Sequence, residues 1–222
     1  MSDLLRGPAY RIETERLVLR CFDPKDAPAL KAAVDASIDH IRPWIPWARD
    51  EPQTLDQKVE TLRNARGQFD LGRDRLYGVF DRSESRLLGG VSLHDRAGEG
   101  ARELGYWIAK EHARQGFTTE ATSALVRTAF EIDLLERVEI HCEPENGPSV
   151  AVARKLGFRH DGTLRARFPR RDGPPASCMI WSLLCAEYLE GPCARAICTA
   201  FDAIGRRILE APAPARPRSA FR

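Results

Sequence analysis

Apolar and polar residues alternate along RLVLRCF (16–22), the period of a strand with one buried face. The period lengthens over DPKDAPALKAAVDAS (23–37), which predicts a helix with Asp23 at the N-cap and Pro24 at its first position. HIRPWIPWARDEP (40–52) has no period and carries two tryptophans among three prolines, so a loop is expected. A second helix follows over 54–72, opened by a Thr54/Gln57 capping box and closed by Gly72. RLYGVFD (75–81) and RLLGGVSLHD (86–95) flank the turn residues RSES and predict a hairpin. ARELGYWIA (101–109) is the next strand, TTEATSALVRTAFEI (118–132) a helix, and ERVEIHCEP (136–144) a strand. NGPSVAVARKLG (146–157) is a helix with Pro148 in its first turn and Gly157 at its end. FRHDGTLR (158–165) and ASCMIWSLL (176–184) supply the last two strands.

The order β-α-α-β-β-β-α-β-α-β-β implies an α/β (α+β) fold with a mixed sheet and helices on both faces. No internal repeat interrupts it. After about Glu187 the pattern changes. Residues 191–210 have the spacing of one amphipathic helix, and 211–222 are rich in Pro, Ala and Arg, a composition that does not build a core. The expected division is a domain over 1–188, a helical extension over 189–210 and a disordered tail over 211–222.

Composition narrows the function classes. A chain of 222 residues suits one generous domain with an extension. A net charge of +2 and no basic helix argue against nucleic acid as a partner. No apolar run approaches the ~20 residues of a membrane span, and MSDLLRGPAYRIETERL has no apolar signal core. A cytoplasmic protein with no membrane partner is expected. The cysteines 21, 142, 178, 185, 193 and 198 form no CxxC and have no histidine pair at zinc spacing, so reduced thiols and no metal are expected.

The candidate chemistry centres on ARQGFTTEA (113–121), between a strand and a helix. Glycine at 116 lets the chain turn and lets a ligand approach without a Cβ in the way. The helix that follows offers unpaired N–H groups and its positive dipole end, an anion seat. Arg114 adds a guanidinium. Neither GxxxxGK[ST] nor GxGxxG is present, so the segment is neither a Walker loop nor a dinucleotide fingerprint.

The order of elements, the ELGYWIAKEHARQGFTTEA block and the NGPSVAVARKLGF block together resemble the GNAT superfamily of acetyl-CoA-dependent N-acetyltransferases. TERLVLR, PWIPWA, ELGYWI, GFTTEA and KLGF are most similar to the branch that acetylates N-terminal amines of ribosomal proteins (RimJ/RimL-like). The resemblance covers roughly residues 10–188. It implies a GNAT fold, a mostly antiparallel twisted sheet with a central V-shaped splay. It implies a coenzyme A pyrophosphate on Arg114, Gln115, Gly116, Phe117, Thr118 and Thr119. Ala113 and Thr118 depart from the family pattern, in which a polar residue and a small one are usual. Tyr106, Trp107 and Ile108 match the strand that pairs with the pantetheine arm, and an N–H near Ile108 would hold the oxyanion. Asn146 matches a pantetheine contact and also suits an N-cap.

Relatives often carry a tyrosine that protonates the leaving thiolate, but Ala153 stands in that place here. Ser149 becomes the candidate general acid. Glu103 is the first candidate base, His141 the second and His94 the third; Glu120 reads as structural, suited to the helix dipole. Trp44 and Trp47 match the wall of the acceptor pocket. No cysteine or serine is expected to pair with a base in the cleft, so no acetyl-enzyme is expected. The implied activity is acetyl transfer from acetyl-CoA, as co-substrate, to a primary amine by direct attack, with a protein N-terminal α-amine as acceptor. A small amine (antibiotic, polyamine or amino acid derivative) and a non-catalytic acetyl-CoA-binding module are the alternatives. An acidic acceptor would draw on RARFPRR (165–171). A monomer or homodimer is expected.

Overall fold

A computed structural model describes residues 7–170 and 173–211. Ten strands form one sheet in the order β10-β9-β1-β2-β3-β4-β5-β6-β8-β7. They are β1 (Arg11–Glu13), β2 (Leu17–Cys21), β3 (Arg75–Asp81), β4 (Leu87–His94) and β5 (Ala101–Ile108), then β6 (Arg137–Cys142), β7 (Arg159–Phe168), β8 (Ala176–Leu184), β9 (Thr199–Phe201) and β10 (Arg207–Leu209). The helices are α1 (Ala27–Asp35), α2 (Ile38–Ile41), α3 (Leu55–Asp70), α4 (Phe117–Glu131), α5 (Gly147–Lys155) and α6 (Cys185–Tyr188).

Local chemistry accounts for most of these boundaries. Thr54 and Gln57 form the reciprocal capping box of α3, and Gly72, at φ +69°, turns the chain beyond it. Asp23 caps a short 3-10 turn over Pro24–Asp26 that leads into α1. The tryptophan-bearing segment is not a plain loop: it holds the end of α2 and a 3-10 turn over Pro46–Asp50.

The pleat of β2 divides the core. Leu17 and Leu19 share one cluster with Ala124 and Leu125 of α4, whereas Val18 joins Leu30 and Val34 of α1 and Leu62 of α3. Helices therefore cover both faces. Leu125 is fully buried, and truncating it to alanine costs about 2–5 kcal/mol by the usual cavity penalty.

Every neighbouring pair of strands is antiparallel except β5 and β6. That parallel pair holds only from Ala101↔Arg137 to Glu103↔Glu139. β5 stays paired with β4 as far as Gly89↔Ile108, and β6 with β8 as far as Cys142↔Met179. Beyond Glu103 and Glu139 the two strands separate, and the sheet opens into the expected V.

The helix expected over 191–210 is corrected. That stretch forms a 3-10 turn over Cys193–Arg195 and the β9–β10 hairpin. Asp202 accepts from the amides of Ile204 and Arg206, and Gly205 turns at φ +79°, so a strong turn signal overrides a weak helical period. The edge of β1 offers a ladder to β9, in the register Ile12↔Ala200. Arg127 of α4 clamps the segment by donating to the carbonyls of Ala196 and Glu210. The expected tail over 211–222 lies, from residue 212 on, outside the described residues.

Candidate active site

Two halves of a cleft meet at the splay. On one side stands the loop before α4. Arg114 and Gly116 both take positive φ, +63° and +83°, and Gly116 is the N-cap of α4 without supplying a side-chain oxygen. The amides of Phe117, Thr118 and Thr119 in the first turn thus remain free for an outside acceptor. Arg114 is exposed beside them, while Gln115 folds back to donate to Glu111 O at 3.0 Å. Arg16, for which no local sequence signal gives a role, braces this loop from just before β2. It donates to Gln115 O at 3.1 Å, pairs with Glu120 at 2.6 Å, and lies 4.5 Å over the Phe117 ring. Glu120 also accepts from Thr14 Oγ1 at 2.6 Å, so it ties α4 to the β1–β2 turn, as a structural residue would. Arg16, Arg86, His112, Gln115 and Phe117 line a cavity of about 370 Å³ next to the loop.

Within the splay, backbone alternation aims two donors. Ala109 N donates to Leu88 O on β4 at 2.8 Å. Amides alternate along a strand, so the N–H groups of Ile108 and Tyr106 point the other way, into the gap. At the far side of the gap, Tyr106 Oη lies 2.8 Å from Ser149 Oγ. Asn146 Oδ1 accepts from Ser149 N at 3.2 Å and caps α5. Burial pushes the Tyr106 phenol well above its usual pKa, which keeps it a neutral donor. Ala153 is buried and offers no hydroxyl. The phenol that reaches the serine comes from β5 instead, a contact across 43 residues that local spacing does not reveal.

The opposite face of the sheet carries Glu103 and Trp107 on β5, with Glu139 and His141 on β6. Trp47 meets Trp107 edge to face, centroids 6.0 Å apart. Trp44 stands half-buried just after α2, its amide bonded to Ile41 O. Arg49 donates to Pro169 O at 2.6 Å, joining the tryptophan segment to the β7–β8 tip, and Arg170 pairs with Glu143.

The two leading candidate bases engage each other. Glu103 takes a bidentate bond from Arg96, both contacts at 2.6 Å, and lies 3.2 Å from His141 Nδ1. His141 Nε2 is 2.7 Å from Glu139. Burial pushes the Glu103 carboxyl up, but His141 and Arg96 outweigh it and hold the group down at about 2. Burial lowers His141, but Glu103 and Glu139 outweigh that and raise it. Each ring nitrogen faces a carboxylate that only accepts, so both donate and the ring is an imidazolium. A weak base and a saturated cation are poor acceptors for an ammonium proton.

A serine does pair with a base here, contrary to expectation. Ser92 Oγ is 2.9 Å from His94 Nε2, and His94 Nδ1 is 3.1 Å from Asp74 Oδ2. The strand period puts 92 and 94 on one face, a signal the sequence held. Asp74, just before β3 and 20 residues away in the chain, had none.

Among the described residues no cluster of His, Cys, Asp and Glu is arranged to hold a metal ion, and no helix is long and apolar enough to cross a membrane. All six cysteines are free thiols.

Comparison with known proteins gives this geometry its context. A family model described as an acetyltransferase (GNAT) domain matches residues 16–159. The Bacillus subtilis protein YdaF is 34% identical over 155 residues, 68% of this chain and 82% of its own. The [ribosomal protein uS5]-alanine N-acetyltransferase of Escherichia coli is 27% identical over 158 residues, 70% of this chain and 81% of its own. The crystal structure of a GNAT-family acetyltransferase from Bacillus anthracis matches with a TM-score of 0.69 at 25% identity, covering 80% of this chain and 99% of that one. RimL in complex with coenzyme A matches with a TM-score of 0.71 at 20% identity, over 77% of this chain and 95% of that one, a likeness of fold.

Proposed function

The chain belongs to the GNAT acetyltransferases, acetyl-CoA-dependent N-acetyltransferases, and on that premise we propose that its acceptor is the N-terminal α-amine of a protein, attacked directly in a ternary complex. The observation that carries the reading is the splay itself: a gap between β5 and β6 with two backbone donors aimed into it and a serine–tyrosine pair at its side. The residues present suit acetyl-CoA. The open first turn of α4, with Arg114, Gln115, Gly116, Phe117, Thr118 and Thr119, receives the pyrophosphate. The edge of β5 at Tyr106–Ile108 receives the pantetheine arm as an added strand, with Asn146 at its end. The Ile108 amide receives the oxyanion.

Ser149, backed by Tyr106, returns a proton to the departing thiolate. Trp47 and Trp107 wall the acceptor, with Trp44 on the same segment as Trp47. The E. coli relative is named for acetylating an alanine of ribosomal protein uS5, which supports a protein N-terminus. An α-amine, at pKa ~8 against ~10.4 for lysine, also asks least of the base. A reaction on newly made chains belongs in the cytoplasm.

The test is release of CoA from acetyl-CoA with hexapeptides starting in Ala, Ser or Met, set against polyamines and aminoglycosides. Turnover with peptides and little with small amines supports the reading. The reverse order of preference overturns it.

A further inference from the structure

We propose that Ser92, His94 and Asp74 form the relay that removes the acceptor's proton, with Ser92 as the group that touches the amine. The proposal rests on the amine-acetylating reading above, but not on which amine is used. Its basis is the place of Ser92 in the sheet. Ser92 pairs with Gly105 across β4 and β5. A Cβ on Gly105 would stand 2.7 Å from Ser92 Oγ and 3.4 Å from His94 Nε2. The hydroxyl and the imidazole therefore fill the space that Gly105 leaves open. Gly105 lies between Glu103 and Trp107 on the acceptor face, immediately before the splayed Tyr106–Ile108. Trp107 in turn fits because position 90 is glycine, whose Cβ would meet its Nε1 at 2.7 Å.

The bonds set the direction of transfer. Asp74 only accepts, so His94 Nδ1 carries its hydrogen, and in the neutral ring that tautomer leaves the Nε2 lone pair to accept from the Ser92 hydroxyl. Asp74 is itself fixed by the Asp95 amide at 2.9 Å. The ammonium gives its proton to Ser92 Oγ as the Ser92 proton passes to His94 Nε2. The result is a neutral amine, a regenerated hydroxyl and an imidazolium stabilised by Asp74. The half-buried imidazole then returns the proton to water. The amine nitrogen forms its bond to the acetyl carbon and the C–S bond breaks. The nitrogen's surplus proton leaves by the same Ser92–His94 route to water, and the thiolate takes a proton from Ser149, whose hydroxyl regains one from water through Tyr106. Ser92 forms no covalent bond.

The charged groups around His94 favour this assignment. Asp74 faces it from the turn before β3. Glu103 stands opposite it on β5, in the register His94↔Glu103, but is already neutralised by Arg96 from the turn after β4 and by His141 from β6. His141, with a carboxylate at each ring nitrogen, has no lone pair to offer, whereas neutral His94 has one at Nε2, facing Ser92.

The test compares two acceptors of the same sequence: a peptide with an ordinary α-amine, mostly protonated at neutral pH, and its aminooxyacetyl counterpart, already neutral there. Acetyl transfer is followed for the wild type, His94→Gln, Ser92→Ala and Asp74→Asn, with acetyl-CoA affinity measured on each as the check on folding. The expected result is a loss of about 100-fold in kcat/KM for the α-amine in His94→Gln and Ser92→Ala, a smaller loss in Asp74→Asn, and less than about 3-fold for the aminooxy peptide. Equal losses on both acceptors would show a merely structural role and overturn the relay, as would no loss on either. An acetyl group on Ser92 in the intact-mass spectrum also overturns it. A wild type that acetylates no amine at all instead overturns the function on which the relay rests. Should His94→Gln fail to bind acetyl-CoA, Ser92→Ala, which removes one oxygen, decides alone.

Discussion

Two imidazoles stand on the same face of the sheet and are built in opposite ways. His141 lies between two carboxylates, Glu103 and Glu139, and is held as a cation. His94 lies between one carboxylate and one hydroxyl, and keeps a nitrogen open to Ser92. The first arrangement closes a chain of charges, Arg96–Glu103–His141–Glu139–Arg137, that pins the apex of the V where β5 and β6 still pair. The second includes Ser92, which pairs with Gly105, beyond the last β5–β6 pair at Glu103. From the sequence Glu103 is the first candidate base and His141 the second. In three dimensions that same glutamate disqualifies the histidine, because a proton acceptor needs a free lone pair more than it needs a nearby negative charge.

The sharpest way to break this comparison is to exchange the effects of the two rings. His94→Gln is expected to lower kcat/KM for an α-amine by about 100-fold, whereas His141→Gln stays within about 5-fold and costs about 1–3 kcal/mol of stability from its orphaned carboxylates. Steady-state kinetics and urea unfolding on both variants read the two quantities, and a reversed pattern refutes the assignment. Next in size is Gly105→Ala. Its methyl displaces the Ser92 hydroxyl from His94 and is expected to cost roughly 10-fold in turnover with Tm nearly unchanged, since a small side chain can rotate away.

Stability against pH follows from the charge chain. Glu103 is depressed from 4.5 to about 2, so its contribution is complete above about 4.5 and disappears as pH falls toward 2. His141 is raised, so its contribution is complete below its ordinary 6.5 and disappears as pH climbs through its folded value. The stability difference between wild type and Glu103→Gln should therefore be largest near pH 5–6 and shrink on the acid side; urea midpoints across pH 3–8 that stay parallel contradict the chain. The smallest effect is expected at the other half of the cleft. Arg114→Ala should weaken acetyl-CoA about 3- to 10-fold by calorimetry, because an exposed guanidinium in water adds modestly to what the helix amides supply. Unchanged affinity would leave the seat to those amides and Arg16.

What the sequence disclosed was mostly local. Thr54 with Gln57, Asn146 with Ser149, and Gly116 before α4 are signals within four residues, and each appears where its chemistry demands. Alternation likewise located the strands that form the V. The partners that define the site's chemistry are distant in the chain: Arg16 on Gln115, Tyr106 on Ser149, Asp74 on His94. Nothing in a window of neighbouring residues encodes those meetings; the sheet order does. The β9–β10 hairpin failed for a related reason. Its helical period was genuine but weak, and the unpaired edge of β1 that receives it lies almost 190 residues earlier.

The most direct measurement of the central claim is the position of the acetyl group on one peptide carrying both an α-amine and an internal lysine. The peptide is incubated with the protein and acetyl-CoA and fragmented by tandem mass spectrometry. The account predicts a single acetyl on the N-terminal nitrogen. Acetylation of the lysine, or none on the peptide while a small amine is consumed, would contradict it.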